Sequence, residues 1–118
     1  MKHGLFENMP LLRFRFCSEI AKSRFVTRRI FVQPGNIPLE NLLAEMPGCP
    51  NDRGEFRWGP GVHDPQTAYL VLLFLFSPKI AREFAAVFHQ EFLSRAGAEF
   101  TLSSADICRW LTQQSPAI

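Results

Sequence analysis

Residues able to ligate a metal through sulfur or imidazole are sparse. The chain has three cysteines (Cys17, Cys49, Cys108) and three histidines (His3, His63, His89), with no C-x-x-C or H-x-x-x-H spacing among them. A metal centre needs three or four ligands brought together, usually by short spacings, so neither a metal nor a cofactor is expected. An odd, dispersed set of cysteines also excludes the dense, even set of a secreted disulfide scaffold. Long apolar runs are missing too. The longest, Ala68–Phe76, has nine residues, less than half of the ~20 that a membrane-spanning helix requires. Met1–Pro10 contains a Lys and a His but no continuous apolar stretch, so no signal peptide and no membrane association are expected, and the cytoplasm is the expected location. Gly59-Pro60-Gly61 runs into Val62-His63 rather than into Lys-Ser or Lys-Thr, which excludes a phosphate-cradling loop of the usual kind. Repeats, low-complexity segments and linkers are absent, so residues 1–118 read as one domain.

What is present is ordinary in bulk and unusual in detail. Apolar residues make up 47% and charged residues 20%, which excludes wholesale disorder. Twelve phenylalanines point to an aromatic-rich core. The net charge of +2 is too close to neutral for a dedicated nucleic-acid coat, but it is unevenly spread. Residues 1–33 carry seven positive charges against two negative, and residues 34–118 carry six against nine. That polarity would steer an anionic partner toward the N-terminal third.

Leu12, Phe14 and Phe16 alternate with Arg13 and Arg15, the period-two pattern of a half-buried antiparallel strand. A second strand is expected over Arg24–Gln33, with Val26, Arg28, Ile30 and Val32 on one face and Phe25, Thr27, Arg29 and Phe31 on the other. Ser18–Ser23 would connect the two, and Pro34-Gly35-Asn36 would end the second. Leu39, Leu42, Leu43 and Met46 have helical spacing over Pro38–Met46, and Glu55–Trp58 reads as a short third strand. Asp64-Pro65 is a helix-start signal for a short helix over the apolar segment, buried nearly all round. Ser77-Pro78 repeats the device for a helix with Ile80, Phe84, Val87, Phe88 and Phe92 in one stripe and Gly97 as terminator. Ser103 with Asp106 starts a last helix carrying Ile107, Trp110 and Leu111, and Gln113–Ile118 reads as a frayed tail. The predicted fold class is α+β: a small antiparallel sheet from N-terminal strands, with C-terminal helices packed on one face.

Candidate catalytic groups are few. Cys49 with His63 and Asp64 is the one arrangement that could pair a thiol with a base, but Asp64 already serves as a helix cap. Glu83 and Glu91 lie eight residues apart among basic neighbours on one helix, the pattern of a solvated helix face. The chain is therefore expected not to be an enzyme. Its candidate partner-binding residues are Arg13, Arg15, Arg24, Arg28 and Arg29, which would line the strands. Arginine there could meet an acidic protein surface, where it is a favoured contact residue, or phosphates, with Phe25 or Phe31 as stacking surfaces. The sequence leaves homodimerisation through the Phe-rich helix open.

From Phe56 onward the chain resembles a family of small uncharacterised bacterial proteins often found on plasmids, phages and other mobile elements. The residues that carry the resemblance are Phe56-Arg57-Trp58-Gly59, the loop to Pro65 with its following apolar helix, Gln90-Glu91-Phe92, Phe100-Thr101-Leu102-Ser103, and Ile107-Cys108-Arg109-Trp110-Leu111. Where the family has Gly-Gly-Ser-Gly before the proline, this chain has Gly61-Val62-His63-Asp64. The resemblance implies a fold and a genomic habitat rather than a reaction. With size and composition it leads to the expectation of a mobile-element accessory protein. Such a protein would bind a host protein or complex stoichiometrically, in the concrete case as an anti-CRISPR-type inhibitor of a nucleic-acid-targeting defence. A small nucleic-acid-binding module is the alternative.

Overall fold

Alternating Phe14 and Phe16, opposed by Ile30 and Val32, give the chain a sheet that is apolar on one face only, and the helices cover that face. The architecture is that of a computed structural model describing residues 11–20, 26–44, 46 and 56–114. Strand β1 spans Arg13–Ile20 and β2 spans Val26–Gln33. A tight turn with positive φ at Gly35 and Asn36 leads into the two-residue strand β3, Ile37–Pro38. Helix α1 (Leu39–Leu43) follows, then α2 (Gln66–Leu75), α3 (Pro78–Phe88), strand β4 (Phe100–Ser103) and helix α4 (Ser104–Gln114). The sheet is antiparallel throughout, in the order β3-β2-β1-β4. This is an α+β fold, as the residue pattern predicts.

The register puts Phe14, Phe16 and Ser18 of β1 opposite Val32, Ile30 and Arg28 of β2, and Phe14 and Phe16 opposite Leu102 and Phe100 of β4. Phe14, Phe16 and Ile30 are fully buried and Val32 nearly so. Phe14 meets Phe74 of α2 edge-on, with ring centroids 6.0 Å apart. Helix α2 runs through the core: Ala68, Leu70, Val71, Leu72 and Leu73 are all buried, so the expectation of a helix apolar nearly all round is met. Each fully buried Leu or Phe contributes roughly 1.5–3 kcal/mol relative to an exposed one. Ser77 caps α3 by accepting a hydrogen bond from the Ile80 amide (3.2 Å), with Pro78 in the first turn. Ser103 does the same for α4 through the Asp106 amide (3.1 Å). Phe84, Phe88 and Phe92 gather around Trp110 of α4, with centroids 5.3–6.4 Å from it. The aromatic stripe of α3 is thus turned inward onto α4.

Several local expectations are corrected. Ser18–Ile20 belong to β1, not to a connection. Phe56–Trp58 is not a strand: Phe56 and Trp58 are buried and Arg57 is exposed, but the Arg57 amide donates to Thr67 Oγ1 (2.7 Å) rather than to a neighbouring strand. Helix α2 begins at Gln66, one residue later than its signal. The Asp64 carboxylate still acts as a start device by accepting from the Gln66 amide (3.0 Å). Helix α3 loosens into a π turn over His89–Leu93, where the Ser94 amide reaches back to the His89 carbonyl (2.8 Å). The helix ends there, and Gly97, whose φ is not positive, is not its terminator. Residues 100–103 form a fourth strand, and α4 extends through Gln113 and Gln114. Helix α1 is shorter than Pro38–Met46, although Leu39 and Leu43 are buried and Leu42 and Met46 partly so.

If α2 is the centre of the core, Leu72→Ala should lower unfolding free energy by about 2–5 kcal/mol. Leu11→Ala, at a position 76% exposed, should change it by less than about 0.5 kcal/mol. Urea unfolding followed by circular dichroism reads both.

Candidate functional site

Strand periodicity divides the four candidate arginines that lie among the described residues instead of gathering them. Arg13, Arg15 and Arg29 lie on the outer face of the sheet, with Cys17, Glu19, Thr27, Phe31 and Gln33, and with Thr101 and Ser103 of β4. Arg28 shares the inner parity with Ser18, Phe16 and Ile30. Arg24 lies outside the described residues, as do Phe25 and Cys49. The single basic strand face expected from composition is therefore replaced by two separate settings.

On the outer face Phe31 is the hub. The Arg15 guanidinium lies 4.8 Å from its ring centroid and that of Arg29 lies 5.0 Å away. Arg15 also donates to Asn36 Oδ1 (3.3 Å). Arg29 donates to Glu40 of α1 (3.0 Å) and stands 3.9 Å from Glu19. These contacts hold two cations in place on an aromatic platform, so less side-chain entropy is lost when a partner arrives. The Arg29–Glu40 pair is partly buried, whereas Glu19 is exposed, so the Glu19 contact adds little to stability, about 0–1 kcal/mol. Arg13 is exposed and borders a shallow cleft lined by Leu11, Leu12, Gln33, Pro34 and Ser103. Cys17, small and between taller neighbours, is buried on this face.

Arg28 lies on the inner face toward the Ile20–Val26 end of the β1–β2 pair. Its guanidinium stacks over Trp58, 4.9 Å from the ring centroid, and its Nη1 donates to Ser18 Oγ (2.7 Å). Trp58 is 1% exposed and packs edge-on against Phe16 (5.2 Å) and Phe100 (5.7 Å), which stack on each other at 4.3 Å. The indole Nε1 donates to the Gly97 carbonyl (2.9 Å), and the next residue's amide, Gly59, donates to the Leu93 carbonyl (2.7 Å). Gly59 has φ +103°, a backbone conformation that calls for glycine, and a Cβ there would lie 3.4 Å from the Ala96 carbonyl oxygen.

Three side chains, His89, Asp64 and Thr67, hold the backbone of the 56–67 segment. His89, buried in the π turn, places Nε2 2.8 Å from the Val62 carbonyl oxygen. A carbonyl only accepts, so Nε2 carries the proton, and Nδ1 is buried without a partner among the described residues. Asp64 caps α2, Thr67 holds the Arg57 amide, and His63 is exposed beside them. The loop is a pinned turn from the Phe56 segment into α2. Burial raises the Cys108 thiol above its ordinary pKa, the reverse of what a nucleophilic cysteine needs. Among the described residues no cluster of three His, Cys, Asp or Glu could hold a metal ion, and no helix is long and apolar enough to cross a membrane.

Arg28 over Trp58 could not be found from composition. The signal for it is the parity of β2, which sets Arg28 on the same side as Ile30 and Val32. Compared with protein-family models, with curated proteins and with solved structures, the chain matches none.

Gly59→Ala should destabilise the fold by about 1–3 kcal/mol, the cost of a side chain in that backbone region. Gly97→Ala, with ordinary φ and nothing within 4 Å of a built Cβ, should be close to neutral. Thermal unfolding of the two variants checks the difference.

Proposed function

We propose that the chain is a non-catalytic binding protein that works in the cytoplasm by docking stoichiometrically on a host protein or complex. The docking surface in this reading is the outer face of the sheet, and the observation that carries it is the Arg15–Phe31–Arg29 cluster. Two guanidinia held on one aromatic ring present a contact of the type that dominates protein interfaces. Three further features favour a protein over a polyanion. Glu19 and Glu40 are interspersed with the arginines, Arg28 does not share their face, and Arg13 borders a cleft with Leu11, Leu12 and Pro34 that suits an apolar side chain. The non-catalytic part of the reading is supported by the use of the Asp64 and Thr67 side chains in hydrogen bonds to the backbone.

Membership of a mobile-element family, and within it the role of inhibitor of a nucleic-acid-targeting defence, is supported by the resemblance of residues 56–111. Nucleic-acid binding is the second reading. What favours it is the position of Arg13, Arg15 and Phe31 on one face of an antiparallel sheet, an arrangement on which bases can stack.

The test is a tagged pull-down from host lysate with nuclease, comparing the wild-type chain with an Arg13→Glu/Arg15→Glu double variant of unchanged melting temperature. One protein recovered at constant ratio by the wild type and lost with the variant is the expected result. Equal recovery by both would overturn the docking face. Recovery of nucleic acid without nuclease, falling steeply with salt, would replace the protein reading by the second one.

A further inference from the structure

Arg28 is a cation without a counter-ion among the described residues. Arg29 and Arg109 form ion pairs among the described residues, but Arg28 has no carboxylate within reach there. It is half-buried against an indole, so its guanidinium has given up part of its hydration. One end is fixed: Nη1 donates to Ser18 Oγ (2.7 Å), and that hydroxyl in turn donates to the Ala98 carbonyl (3.2 Å). Of the carbonyls in the adjoining segment, Gly97 accepts from Trp58 and Ala98 from Ser18. The Nε and Nη2 groups have no acceptor among the described residues. They form one edge of the planar fork, two parallel N–H donors that match two oxygens of a carboxylate or phosphate.

Beside that edge, Nη2 lies 4.0 Å from where a Cβ on Gly59 would stand, and the Ala96 carbonyl oxygen lies 3.4 Å from the same point. Gly61, two residues on, has open space around its own missing Cβ. A rigid, partly desolvated arginine facing a glycine turn has already lost the entropy that a flexible surface arginine would lose on binding.

We propose that Arg28 and the Gly59–Gly61 turn form an oxyanion site, which takes a carboxylate or phosphate group on the Nε–Nη2 edge while Trp58 and Ser18 hold the guanidinium. The site lies on the opposite side of the sheet from the docking face and does not rest on it. Trp58 reports on it directly. The chain has two tryptophans, so Trp110→Phe leaves Trp58 as the one indole.

The experiment titrates that variant, at constant ionic strength with chloride as balance, with inorganic phosphate in one arm and sodium acetate in the other. A saturable change in Trp58 emission is expected in at least one arm, and the arm with the tighter midpoint identifies the preferred oxyanion. Arg28→Lys in the same background keeps the charge but loses the fork, and should weaken that midpoint at least tenfold. Amide and indole NMR shifts of the unaltered chain, titrated with the same two salts, remove any dependence on how the variants fold. Shifts centred on Ser18, Arg28, Trp58 and Gly59 are the expected pattern. A response that rises linearly with both salts, or that is the same in Arg28→Lys, or shifts spread over the whole surface, would overturn the site.

Discussion

The burial of Trp58 is the constraint on which the rest of the structure depends. Its ring packs edge-on against the stacked Phe16–Phe100 pair, and so ties the loop before α2 to both β1 and β4. Its indole N–H reaches the Gly97 carbonyl, which fixes the segment leading into β4. The chain must then turn sharply at once, and Gly59 supplies the backbone conformation while its amide takes the Leu93 carbonyl at the end of the π turn. Three stretches distant in sequence are thereby joined around one side chain. A buried indole without a partner for its N–H would be costly, by roughly 1–3 kcal/mol, so the two loops are not independent of each other.

The sheet then has two chemically different sides for one reason, the strand period of two. Phe14, Phe16, Ile30 and Val32 fall on the side that α2 covers, and the arginines of odd number fall on the other. Arg28 is the exception that the same rule demands, an even-numbered residue on the core side. It is accommodated because an indole face, rather than aliphatic packing, receives the charge. Charge on the outer side is arranged differently: Phe31 orders Arg15 and Arg29, and acidic residues from β1 and α1 lie among them.

The parts legible in the sequence are those where a local signal and the tertiary environment agree. Ser77-Pro78 and Ser103 mark helix starts because capping depends on neighbouring residues alone, and the parity of β1 and β2 follows from alternation that the core requires. The misses come from long-range partners. Phe56-Arg57-Trp58 alternates like a strand, yet Thr67 and Gly97 take its hydrogen bonds. Phe100–Ser103 carries only four residues of pattern, and becomes a strand because β1 offers it an edge. Gly97 looks like a helix terminator, but the π turn at His89 ends the helix earlier. Grouping the arginines by composition failed at Arg28 for the same kind of reason, since its place is set by Trp58, thirty residues on.

Amide hydrogen exchange in Trp58→Phe tests the role of Trp58 most directly. That change keeps an aromatic ring and removes the indole donor. The account predicts that the Gly59 and Val62 amides lose protection together, by about tenfold or more, as expected when a buried hydrogen bond worth at least 1.4 kcal/mol is removed, while the amides of Leu72 and Leu73 in α2 keep theirs. Unchanged protection at Gly59 and Val62 would contradict it, and would mean that the loops hold their positions without the tryptophan.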